Sequence, residues 1–178
     1  MFQVMSANKD IQRAWLSYSI TLDCLKIARK SIKKDQHNVL LDKTIFLDLP
    51  KDRALQDIDD SQQHAEDYLI LTVWAYFERN LFLKLNQDLI NPRSKLINDK
   101  IQDHMERLEM KNGLLDALKS VISSELIGNA KQIYDYRNWI AHRNPKKTPP
   151  AMVTPDFAYQ VLSEITNQLD ERVLISNL

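Results

Sequence analysis

Leu69-Ile70-Leu71-Thr72-Val73-Trp74-Ala75-Tyr76-Phe77 is apolar at nearly every position. Over about two and a half turns of helix such a run leaves no polar face for solvent, so it must be contacted from several sides. We read it as the middle of the longest helix, about Ser61 to Gln87, and as the spine of the fold. The apolar run Tyr68 to Phe77 is about half of what a membrane-spanning helix needs, so no membrane partner is expected. Composition agrees with a helical chain. Only two glycines, Gly113 and Gly128, occur in 178 residues, against a usual share of about 7%, and a β-rich fold needs many more for its turns.

Upstream of the spine, Asn8 or Asp10 is placed to cap a first helix to about Lys34. Ile11, Ala14, Trp15, Tyr18, Leu22, Leu25 and Ala28 form its apolar stripe. Lys26, Arg29, Lys30, Lys33 and Lys34 gather near its end, as the helix dipole favours. Residues 35–60 hold short apolar runs, Leu49-Pro50 and the acidic Asp57, Asp59 and Asp60, and are expected to be an irregular connection.

Downstream, Asn91-Pro92 opens a third helix to about Met110, which Asn112-Gly113 ends. A fourth covers about Leu114 to Leu126, and Gly128-Asn129 is expected to break the path into the next helix. Residues 143–153 form a proline-containing loop before a last helix that starts at Thr154-Pro155-Asp156. Phe157, Val161, Leu162, Ile165, Leu169 and Val173 give it a stripe. The expectation is a single all-α domain over 1–178, a compact bundle of about five or six helices.

Lys plus Arg equals Asp plus Glu, 24 each, so no global field draws the chain to nucleic acid and any such binding must be local. The lone cysteine, Cys24, excludes an intrachain disulfide and suits a reducing compartment. Met1 to Met5 is followed by polar residues rather than a secretion signal, and the chain reads as cytoplasmic. It has no glycine-rich phosphate loop, no paired-His metal motif and no nucleophile elbow. His37, His64 and His104 are isolated in sequence. Neither a metal nor a cofactor is expected.

The chemistry concentrates in Ile133 to Pro145, Ile-Tyr-Asp-Tyr-Arg-Asn-Trp-Ile-Ala-His-Arg-Asn-Pro. Arg137, Asn138 and His142 place a strong cation, an amide and an imidazole between apolar residues. Asn138 and His142 are four apart and share a helix face, with Arg137 about 140° round from His142. Pro145 cannot extend the helix, which puts His142 in or just past its last turn. There the dipole favours a cation, and imidazole is the side chain suited to exchange a proton near neutral pH. Arg143, Lys146 and Lys147 follow as a local basic patch for phosphate, and Trp139 offers a face on which a base could stack.

The Arg-x4-His string, Arg137 to His142 with Asn138 beside the Arg, resembles the HEPN superfamily (higher eukaryotes and prokaryotes nucleotide-binding domains). The resemblance implies a small α-helical bundle that forms a homodimer so that two motifs meet. It further implies a metal-independent endoribonuclease of the toxin or defence-effector type, held by a cognate antitoxin or regulatory protein; other members are inactive modules that bind a nucleotide or protein partner. An acidic residue on an earlier helix often supports the motif, and the matching position is Glu78. The Tyr that a partner nucleotidyltransferase modifies in some members is Asn144 here, so that regulation is not carried over.

Overall fold

The computed structural model describes residues 7–34, 40–89, 110–142 and 148–176. Within them the chain is all-α: α1 (Ala7–Lys33), α2 (Lys51–Leu89), α3 (Ser124–His142) and α4 (Pro155–Ser176) are its long helices. A compact helical segment precedes α3, a π turn (Met110–Leu114) passing into a single α turn (Leu115–Ala117) and a 3-10 turn (Leu118–Ser120). The third helix expected from Asn91 lies outside the described residues up to its end at Met110, as do Val39, His37, His104, Arg143, Lys146 and Lys147.

α1 and α2 pack antiparallel. Arg29 pairs with Asp59 at one end, and Arg79 Nη2 reaches Asp10 Oδ2 at 2.5 Å at the other. That register sets Trp15 level with the middle of α2, where its indole stacks on Tyr159 of α4 with ring centroids 4.7 Å apart. Further along α2, Lys84 pairs with Asp170 and donates to the Thr166 carbonyl at 3.3 Å. So α4 runs parallel to α2 and antiparallel to α1, and α3 packs on both α2 and α4.

The spine is buried where the apolar run predicts. Ile70, Val73, Trp74 and Phe77 are fully enclosed, with Ile127, Ile133, Leu162 and Ile165 from α3 and α4 around them. One side differs from expectation. Tyr68, Thr72 and Ala75 are exposed, so among the described residues α2 is contacted by α1, α3 and α4 and has one uncovered side.

Two boundaries also differ. α2 begins at Lys51, not near Ser61, and the acidic cluster lies inside it. The reason is a second small core at that end: Ala54 and Ile58, four residues apart, are buried against Ala28, Ile32 and Leu41. The acids are accommodated on the other faces, Asp57 with Arg53 at 3.0 Å and Asp59 with Arg29. Gly128 and Asn129 do not break a helix; they lie within α3. The break falls earlier, at 121–123, where Ser123 Oγ accepts from the Leu126 amide at 3.3 Å and its carbonyl from Ile127 at 3.1 Å. A serine cap of this kind satisfies amides that the first turn cannot. α4 starts as expected, with Thr154 Oγ1 accepting from the Phe157 amide at 3.2 Å and Pro155 at the first helical position.

Candidate functional site

α3 carries the motif. Its apolar residues Ile127, Ala130, Ile133 and Tyr136 are buried, which orients the helix; Trp74 meets Tyr134, centroids 5.4 Å apart. Two ion pairs hold it to the preceding helical segment. Lys111 Nζ donates to both oxygens of Asp135, at 2.8 and 2.6 Å, and Lys131 Nζ donates to Asp116 Oδ2 at 2.7 Å. Lys119 adds a 2.6 Å ion contact to Asp116 Oδ1. Hydrogen bonding from Lys119 and Lys131 holds the Asp116 carboxyl below its ordinary value. Asp135 stands two residues before Arg137, so the Lys111 bond anchors the turn from which Arg137 projects. Nothing near Asp135 in sequence announces this, because its partner is 24 residues away.

Arg137 and Asn138 are brought together. Arg137 Nη1 donates to Asn138 Oδ1 at 2.8 Å, both side chains being half-buried. Consecutive helix residues do not face one another, so the guanidinium lies along the helix surface to make this bond. Its Nε is buried with no hydrogen-bond partner among the described residues, a costly state for a cationic N–H.

His142 is the last residue of α3 and is exposed. It shares a face with Asn138 but, among the described residues, no hydrogen bond joins it to Asn138 or Arg137. Glu78 is half-buried on α2, and no hydrogen bond or ion pair within 4.0 Å links it to Arg137. Trp139 is half-buried against the core and stacks on Tyr136, centroids 5.7 Å apart at 29°. The expected basic residues Arg143, Lys146 and Lys147 fall outside the described residues. No group of three His, Cys, Asp or Glu side chains able to hold a metal occurs among the described residues, and none of the helices searched is long and apolar enough to cross a membrane.

The arrangement offers a half-buried guanidinium fixed by a neighbouring amide and, a turn later, a solvent-facing imidazole at a helix end. The first can bind and neutralise a phosphate; the second can move a proton. The chain matches no family model, no curated protein and no solved structure.

Proposed function

We propose that the protein is a metal-independent endoribonuclease whose active site is completed when two copies bring their motifs together. RNA carries its own nucleophile, the 2′-hydroxyl beside the scissile phosphate, so the protein must supply a proton acceptor, charge stabilisation and positioning. His142 serves as general base or acid. Arg137 holds the phosphate and stabilises the charge that builds on it as phosphorus becomes five-coordinate. Asn138 fixes Arg137 and keeps its amide donor for the phosphate. Trp139 on α3 offers a base a ring to stack on, and Arg143, Lys146 and Lys147, which follow His142 in sequence, supply positive charge for the RNA phosphates. Glu78, with no bond to Arg137 in its own chain, is left the role of a more distant acidic neighbour.

The observation that carries this reading is the Arg137–Asn138 hydrogen bond on the same helix that ends in exposed His142. One imidazole cannot conveniently remove a proton on one side of a phosphorus and deliver one on the other, which is why two motifs across a two-fold axis suit the chemistry. The products are a 2′,3′-cyclic phosphate and a 5′-hydroxyl. The setting is a cytoplasmic toxin or defence effector, with an antitoxin or regulatory protein as the restraining partner.

A second reading, a non-catalytic dimer that binds a nucleotide or protein, is favoured by the balance of 24 basic and 24 acidic residues. The two separate in one experiment. The purified protein and its His142→Ala variant are incubated with labelled single-stranded RNA in EDTA, and the fragment ends are analysed. Cyclic-phosphate ends from the parent and none from the variant are expected. Dependence on added magnesium or cleavage of DNA would overturn the mechanism, and intact RNA from both folded proteins would favour the binding module.

A further inference from the structure

The outward face of α1 carries a seam at heptad spacing. Arg13, Leu16, Ile20, Asp23 and Ile27 follow one another at intervals of three, four, three and four residues, and all five are exposed, the apolar three at 59%, 56% and 63%. At about 100° per residue, Leu16, Ile20 and Ile27 lie within about 40° of the line opposite buried Ile11. They therefore point away from α2 and α4, the helices on which α1 packs. Scattered single apolar residues are ordinary on a surface; a row of them in coiled-coil register, bounded by a cation and an anion, is a helix-pairing surface.

We infer that α1 pairs antiparallel with α1 of a second copy of this chain through this seam. The charges select that occupant and its direction. Read along the helix, the seam runs cation, apolar, apolar, anion, in Arg13, Leu16, Ile20 and Asp23. Turned end for end about a two-fold axis level with residue 18, this pattern is its own complement: Leu16 meets Ile20 of the second copy, Ile20 meets Leu16, and Arg13 meets Asp23 at both ends. A parallel copy would set Arg13 on Arg13 and Asp23 on Asp23, which like-charge repulsion forbids. Neither charge is committed elsewhere. Arg13 has no ion pair among the described residues, and Asp23 has only Lys26, three residues on at 3.0 Å with both side chains exposed, a kind of pair that contributes little. In the same register Ile27 falls opposite Lys9, whose methylene stem can cover it while the ammonium stays in water. The interface is isologous, as a two-fold pair requires. It uses no residue of α3, so it is independent of the ribonuclease reading, and a meeting of two motifs would add to it rather than compete.

Sedimentation velocity of the full-length protein over a concentration series tests the pairing. The parent is expected to self-associate, and Ile20→Asp, Arg13→Glu and Asp23→Arg each to weaken that association at least about tenfold, with melting curves showing each variant folded. An equimolar mixture of Arg13→Glu and Asp23→Arg is expected to regain it, because antiparallel pairing then sets Glu against Arg at one end and Asp against Arg at the other. Three results would overturn the proposal: a parent that stays monomeric throughout the series, an assembly indifferent to Ile20→Asp, which would place the contact on another face, or a mixture no more associated than its two components, which would exclude the antiparallel register.

Discussion

The indole of Trp74 and the ring of Tyr134 meet with centroids 5.4 Å apart and planes at 57°, and through this tilted pair the spine sets the position of the motif helix. Trp74 is fully buried and its ring also lies 5.4 Å from that of Phe77, centroid to centroid, while Tyr134 stands three residues before Arg137 on α3. Aromatic pairs at such spacing add to the area they bury.

Trp74→Ala is therefore expected to destabilise the fold by about 3–5 kcal/mol. Trp74→Phe is expected to cost less than the alanine change. It keeps an aromatic ring in place, and the indole Nε1 that it removes is buried without a hydrogen-bond partner. Urea midpoints of the three proteins check the order; a phenylalanine variant as weak as the alanine one would show that the indole's full volume is what matters.

Asn138 holds Arg137 through a bond to a charged donor, a type of interaction that contributes about 1.5–3 kcal/mol. On the ribonuclease reading, Asn138→Ala is expected to slow single-turnover RNA cleavage about ten- to a hundredfold. Arg137→Lys is expected to fall with Arg137→Ala, because an ammonium lacks the planar fork that bonds Asn138 and phosphate together. Cleavage by Asn138→Ala at the parental rate would remove its positioning role.

Tyr18 supplies a pH dependence. Burial first, then the charges of Glu66 and Asp156, raise its phenol from 10.0 to about 12. A raised folded value means that the native state keeps a proton the unfolded chain has already released. Its stability contribution is complete below pH 10 and is lost as pH rises towards 12. In an ultraviolet titration of the folded protein one phenol is expected to ionise late, and Tyr18→Phe to lack that step and to lose less stability over the same range. An unchanged titration in the variant would assign the late phenol elsewhere.

Much of the local structure is legible in the residues. Thr154-Pro155 starts α4, and the Leu69–Phe77 run marks the buried spine. Other positions read differently in three dimensions. Ala54 and Ile58 extend α2 upstream only because Ala28 and Ile32 of another helix cover them. Gly128 looks like a breaker, yet it sits inside α3, where a Cβ would meet nothing within 4 Å and where the cost of glycine is only about 1 kcal/mol. Leu16 and Ile20 look like core residues by type and are exposed, since the stripe from Ile11 to Ala28 turns them outward.

By itself the amino-acid sequence determined what depends on neighbours within about four residues: an all-α chain, the Thr154-Pro155 start of α4, and Arg137, Asn138 and His142 on one helix, whereas Asn8 and Asp10, expected to cap α1, lie inside it. Those are set by backbone hydrogen bonding and helical spacing, which act locally. The tertiary structure alone decided which distant groups meet. Lys111 finds Asp135, Lys84 finds Asp170 and Trp15 finds Tyr159, while Glu78 and Arg137 form no bond. These outcomes follow from how apolar faces dock, and docking balances the burial of whole stripes against one another, so no single residue or short spacing encodes it.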